Sequence, residues 1–133
     1  MSTVFLDTVG LIALWDNTDQ WHEVAKRAYE GLKQLRFKGI ATDAVMLECG
    51  NAATRRPYRQ DVNQLRQQLS AKGLLIAVTD AEWELAWNAF DRGDAAGAGI
   101  IDQASFMVMR RLGIRQVFTN DEHLRAAGFE TAF

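Results

Sequence analysis

Thr3-Val4-Phe5-Leu6-Asp7 is the stretch from which the fold follows: a short apolar, partly β-branched run of the length of one buried strand, running straight into a carboxylate. A helical turn through Leu11, Ile12, Leu14 and Trp15 comes next, so a strand hands over to a helix at Asp7. The same alternation continues downstream. Asp19 is placed to cap a helix that keeps Trp21, Val24, Ala25, Ala28, Leu32 and Leu35 at the 3.6-residue period, and Ile40-Ala41-Thr42 reads as a second strand. Asp43 is placed to cap a helix through Val45, Leu47, Ala52 and Ala53, which Pro57 stops; Val62, Leu65 and Leu69 mark another, closed by Gly73. Leu74-Leu75-Ile76-Ala77-Val78 is a continuous apolar run that reads as a central strand covered on both faces. Thr79 and Glu82 have capping-box spacing, and Trp83, Ala86, Trp87 and Phe90 form the expected core stripe of the helix they open. After Gly97-Ala98-Gly99 comes a helix with Ile101, Ala104, Ser105, Val108 and Leu112 on one face, then a strand at Gln116-Val117-Phe118-Thr119 and a short helix ending near Gly128. Strands separated by helices, without an Asn-Gly or Asp-Gly hairpin signal, predict an α/β fold with a parallel sheet between helical layers. Sites in such folds form beyond the carboxyl ends of the strands.

Length and composition agree with that. The 133 residues suit one domain (1–133), since two would each be short of buried surface. Hydrophobic residues at 48% against 24% charged exclude disordered and low-complexity classes, and neither a linker nor a repeat interrupts the chain. A net charge of -2 gives no overall basic field, so any nucleic-acid partner has to be argued from a site. Cys49 is the single cysteine, which excludes an internal disulfide or a cysteine zinc cluster. Asp7 cuts the first apolar run too early for a signal peptide or membrane span, so a cytoplasmic protein with no membrane partner is expected.

The acidic residues carry the chemistry. Asp7 follows the first strand and Asp121 the last, at one rim of the sheet. Asp102 opens a helix with Ala98, Gly99, Ser105 and Phe106 as its helical neighbours, and Glu48 lies among Ala44, Val45, Asn51 and Ala52, a face built for burial. Only Asp121 has a local cation, Arg125. Carboxylates removed from water need a compensating charge, which an external cation would provide for all four. Oxygen-only ligation selects Mg²⁺ or Mn²⁺, and His22 and His123 are too far apart in sequence to form a zinc pattern. Such ions activate water for attack on a phosphodiester, the chemistry of many nucleases. Taken singly, each acid can equally be a helix cap.

In these residues the sequence resembles the PIN-domain family, and within it the VapC-type toxins of toxin–antitoxin pairs. The resemblance rests on Val4-Phe5-Leu6-Asp7-Thr8 with Leu11-Ile12-Ala13-Leu14, on Leu47-Glu48-Cys49-Gly50-Asn51-Ala52, on Ile101-Asp102-Gln103-Ala104-Ser105-Phe106, and on Phe118-Thr119-Asn120-Asp121-Glu122-His123-Leu124 with Ala127-Gly128-Phe129. It implies a three-layer α/β/α sandwich with a mostly parallel sheet, and a metal-dependent endoribonuclease in which Asp7, Glu48, Asp102 and Asp121 hold Mg²⁺ or Mn²⁺. Thr8, Ser105, Thr119 and Asn51 match supporting positions around such a site. A cognate VapB-type antitoxin and a homodimer are also implied. Two departures stand out: Leu124 replaces an aromatic that often follows the histidine, and Asp91-Arg92-Gly93-Asp94-Ala95-Ala96-Gly97 is a small-residue run that bears on how Asp102 is held. Within that run Asp94 reads as the start of a turn more readily than as an additional ligand.

Outside the four acids the chain is mildly basic, with 13 acidic residues (17 − 4) against 15 basic ones. Arg55, Arg56 and Arg59 lie just past the helix of Glu48 and can grip RNA phosphates while Tyr58 stacks a base; alternatively Arg55 and Arg56 complement a helix C-terminus. Arg110, Arg111 and Arg115 read as surface charge more readily than as lining of the same rim, Trp15 and Trp21 as core more readily than as part of an antitoxin groove, and Cys49 as a small buried hydrophobe, while His123 reads equally as an acid or orienting group beside Asp121 and as a surface residue at a helix start. Two other functions compete: a non-catalytic PIN-like module binding RNA or protein, and aspartyl phosphotransfer. The second lacks its usual second acid, because Val9 stands two positions after Asp7, and it has no lysine in Thr119-Asn120-Asp121.

Overall fold

A computed structural model of the chain describes residues 2–133. In chain order the elements are β1 (Thr3–Leu6), α1 (Thr8–Trp15), α2 (His22–Gln34), β2 (Lys38–Thr42), α3 (Asp43–Ala52), α4 (Arg59–Ala71), β3 (Leu75–Ile76), α5 (Asp80–Arg92), α6 (Ile100–Leu112), β4 (Gln116–Phe118), α7 (Glu122–Ala126) and β5 (Glu130–Thr131). The strands form one sheet in the order β3-β2-β1-β4-β5, and all four pairings are parallel. Helices cover both faces, giving the three-layer α/β/α sandwich. β1 is the middle strand, and Val4, Phe5 and Leu6 are all but inaccessible to solvent.

Parallel pairing puts every strand's carboxyl end on one edge. Leu6 pairs with Phe118, so the residues that leave the sheet next, Asp7 and Thr119, emerge side by side. Gly10 makes that junction tight: α1 packs so closely on β4 that a Cβ there would overlap the carbonyl oxygen of Phe118. Tyr29 and Phe133 pack on the Phe118 ring and complete the core beneath the junction.

Several local expectations are corrected. The Leu74–Val78 run is not central: only Leu75 and Ile76 pair, at the sheet edge beside β2. Its continuous hydrophobicity has another cause, because Leu74, Leu75 and Ile76 lean on the main core while Val78 leaves the sheet to pack with Ala44, Ala86 and Val108. The α2 N-cap is Trp21, and Asp19 instead accepts the Trp21 N–H in the preceding turn. At α3 the cap is Thr42, whose hydroxyl accepts from the Val45 N–H, while Asp43 accepts only from its neighbour Ala44. The capping box of α5 is present as expected, but Trp87 and Phe90 stay about half exposed, and Ala86, Ala89 and the Glu82 carboxylate face inward. Small residues let α5 lie close to α6, and the bulky aromatics are turned outward. Glu82 is tolerated because Arg111 reaches it at 2.7 Å and holds its carboxyl below the usual range, so Arg111 is committed to the fold and not to the rim. Trp21 is also exposed, and the final strand β5 carried too few apolar residues to be seen.

Candidate active site

Three of the four acids sit at helix starts beyond the strand ends. Asp7 is the N-cap of α1, Asp102 lies in the first turn of α6, and Asp121 is the N-cap of α7. Backbone N–H groups free at a helix start favour negative charge, which is how the chain tolerates clustered acids without placing a cation among them. Asp7 nevertheless does not cap its helix: its side chain makes no cap bond and instead accepts from the Thr119 hydroxyl at 2.9 Å. A cap that declines to cap has been turned toward the cleft.

Asp7 is 2% exposed, and its carboxyl is pushed up to about 7 from 3.8, first by burial and then by the negative charges of Asp102, Asp121 and Glu48, against the Thr119 bond. Asp102 is raised in the same direction, by burial and by Asp121 and Glu48, while the Gly99 N–H bonded to it at 3.2 Å acts against the rise. Asp7 and Asp102 therefore sense the other acids of the rim, where the structure brings all four carboxylates together. Glu48 arrives differently than expected. Its helix face is not buried: Glu48 is exposed, at the mouth of a pocket with Asp43, Leu47, Asn51, Trp83 and Ile101, because α3 turns that side to the cleft.

The expected partner of Asp121 is not used. Arg125 bonds the Thr131 hydroxyl, and Asp121 Oδ1 instead accepts the backbone N–H of His123 at 2.8 Å, with the imidazole Nδ1 at 2.9 Å. Asp102, Asp121 and His123 each offer a ligand atom within 4.8 Å of the others. His123 is thus part of the cluster, a role its sequence position left open; the signal was its place two residues after an N-cap aspartate, where the cap turn folds it back. Gly97 completes the arrangement. Its backbone, at φ +85, approaches the imidazole so closely that a Cβ would lie 2.5 Å from Nε2. Gln103 donates to the Asp94 carbonyl at 2.6 Å, which ties the middle of the small-residue run to α6, and the Gly99 N–H holds Asp102. Asp94 itself pairs with Arg92 on the surface and takes no part in the cluster.

Of the supporting residues, Thr119 is fully buried on Asp7. Thr8 and Ser105 carry the two buried side-chain polar atoms without a hydrogen-bond partner among the described residues. Both hydroxyls adjoin acids, Thr8 next to Asp7 and Ser105 one turn after Asp102. Asn51 is exposed, one turn after Glu48. Arg55, Arg56 and Arg59 are exposed around the α3–α4 turn, but Tyr58 is 4% exposed and stacks on Trp15, so it is core and does not reach a base. Cys49 is buried, which pushes its thiol up to about 12, the behaviour of a small apolar side chain. No helix among the described residues is long and apolar enough to cross a membrane.

Comparison with known proteins points the same way. The PIN domain family model matches residues 4–130. The chain is 30% identical over 127 residues to the 23S rRNA-specific endonuclease VapC20 of two Mycobacterium tuberculosis strains, CDC 1551 / Oshkosh and H37Rv, covering 95% of both proteins. The crystal structure of Mycobacterium tuberculosis VapC20, a Sarcin-Ricin loop cleaving toxin, superposes with a TM-score of 0.75 at 26% identity, again over 95% of each chain. PIN nucleases use divalent metal, and an oxygen-rich cluster of raised carboxyls with unpartnered hydroxyls beside it fits that use. With its acids delivered to one edge of a parallel sheet and its match running almost end to end, the chain belongs to the PIN-domain family, as a VapC-type member.

Proposed function

We propose that the chain, acting as one unit over residues 1–133, is a Mg²⁺- or Mn²⁺-dependent endoribonuclease toxin neutralised by a cognate VapB-type antitoxin. The observation that carries this reading is the convergence of Asp7, Glu48, Asp102 and Asp121 with no lysine or arginine of the chain paired to any of them among the described residues. Those four would hold the ions. When bound, they supply Lewis acidity that activates a water for in-line attack and stabilises charge on the phosphate. Thr119 occupies one oxygen of Asp7, and the His123 contacts occupy Oδ1 of Asp121, leaving each carboxylate one free oxygen to offer. Thr8 and Ser105 contribute donors within a turn of the acids, and Asn51 an amide beside Glu48. Arg55, Arg56 and Arg59 then bind phosphates of the same strand.

Ribosomal RNA is the first substrate to test, given what the relatives cut. Incubated with Mn²⁺ or Mg²⁺, the protein should release defined RNA fragments, and EDTA or Asp102→Asn should abolish them while the circular dichroism spectrum is retained. Intact RNA under saturating metal would leave a binding module in place of a nuclease. The homodimer rests on α5, where Leu85, Trp87 and Phe90 are 54%, 51% and 45% exposed. Trp87→Glu should shift sedimentation from dimer to monomer, and an unchanged dimer would place the interface elsewhere.

A further inference from the structure

A cleft of about 330 Å³ separates α3 from α4, and its chemistry differs from that of the acidic site. Arg59, Asn63 and Arg66 line it from α4 at spacings of four and three, which places them on one helix face, and Asn51 faces them from α3. The floor is apolar, with Met46 and Val62 buried. Asn63 Oδ1 accepts from Arg66 Nε at 3.0 Å and steadies that guanidinium while leaving its other donors free. Leu47 and Asn51 wall this cleft and also the pocket that holds Glu48, so the two are contiguous.

The local charge is one-sided. Between residues 54 and 66 the chain has four arginines, Arg55, Arg56, Arg59 and Arg66, against Asp61 alone, although the whole protein carries a net charge of -2. None of the four lies within ion-pair distance of a carboxylate among the described residues. Asp61 is not on the cleft wall. An acid-lined site attracts phosphate only through bound cations, so a polyanionic strand needs anchoring charge next to it, and planar guanidiniums suit phosphate oxygens. The amides add donors and acceptors suited to an unpaired base or a ribose hydroxyl.

We infer that the α3–α4 cleft is a nucleotide subsite for single-stranded RNA flanking the cleaved bond, with Arg59 and Arg66 on phosphates and Asn63 on base or sugar. The inference rests on the endoribonuclease reading above and extends it to residues outside the acidic cluster.

The test uses the full chain and a single-stranded oligoribonucleotide that the wild-type protein cleaves. Binding is measured by fluorescence anisotropy in EDTA across a potassium chloride series, and cleavage is measured separately with Mn²⁺. Arg59→Gln and Arg66→Gln should each weaken binding roughly fivefold and lower the slope of log affinity against log salt by about 0.7. In cleavage both should raise KM with little change in kcat, and Asn63→Ala should alter which sequence is preferred. All three positions are exposed, so melting temperatures should match the wild type. If affinity, salt slope and KM stay where they were while the wild type still cuts RNA, the subsite is refuted, the nuclease survives, and the cleft is left to a protein partner. If the wild type cuts no RNA at saturating metal, the nuclease reading fails and takes the subsite with it.

Discussion

At pH 8 in EDTA, Asp7→Asn should melt at a higher temperature than the unaltered protein, although with Mn²⁺ supplied it should lose RNA cleavage by on the order of a thousandfold, as expected for removal of one positioned catalytic group. Both effects come from one carboxylate. Asp7 is buried and its folded pKa is about 7 against 3.8 unfolded, so between those values the folded protein holds a proton that the unfolded chain has released. Stability from this group is therefore greatest below pH 3.8, falls as pH rises, and is fully lost above about 7. The difference of 3.2 pH units corresponds to about 4 kcal/mol. That is a large part of the 5–15 kcal/mol typical of a domain. Asparagine keeps the acceptor that Thr119 needs and removes the charge, so the variant's advantage should be about 10 °C at pH 8, shrink by pH 5 and vanish near pH 4. Asp102 is shifted in the same sense, so Asp102→Asn should also gain stability relative to the wild type as pH rises. Saturating Mn²⁺ should stabilise the wild type, by about 2.7 kcal/mol at a hundred times its dissociation constant, and the Asp7 variant far less. Thermal melts at three pH values with and without Mn²⁺ decide this. A variant less stable than wild type at pH 8 would make Asp7 a structural residue.

The same carboxylates mark how far the sequence could be read. Asp7 and Asp121 were legible because a strand end is a local feature: an apolar run stops, an acid follows, and parallel topology carries both acids to one edge. The apolar period located each of α1 to α6 for the same reason, since burial of one face repeats at 3.6 residues. What the sequence hid was the direction in which a face points. Glu48 and Trp87 lie on apolar stripes by spacing, yet Glu48 opens to the cleft and Trp87 to solvent, because the inward positions are taken by Cys49 and Ala86. Small residues at a close helix–helix contact look like weak signals in a sequence, and the bulkier neighbours draw the eye. Leu74–Val78 misled in a related way: half-burial against two different clusters reads the same as full burial in one sheet. The tie between His123 and Asp121 was legible in spacing alone, whereas the closure of that ring by Gly97 joins residues 26 apart and needed the fold.

Gly10→Ala should cost about 3 kcal/mol or more of stability, the upper end for forcing volume into a packed contact, although alanine in an exposed helix interior is ordinarily better than glycine by about 1 kcal/mol. The sign is reversed by what the added methyl meets. Besides the Phe118 carbonyl oxygen it would stand 2.7 Å from that residue's carbonyl carbon and 2.8 Å from its Cδ2, and the backbone of a central strand cannot rotate out of the way as a side chain can. Relief requires α1 to move off β4. That motion separates Asp7 from Thr119, since one lies at the start of the helix and the other at the end of the strand. The variant should therefore lose Mn²⁺ affinity as well as stability, and calorimetric titration of protein still folded at low temperature should show it. Gly31→Ala is the control: Gly31 lies inside α2 and, apart from its chain neighbours and the helix's own backbone, no atom comes within 4 Å of the position its methyl would take, so that variant should gain roughly 0.5–1 kcal/mol and bind Mn²⁺ as before. If Gly10→Ala were as stable as Gly31→Ala, α1 would not rest on β4 as closely as described, and the alignment of Asp7 with Thr119 would lose its physical basis.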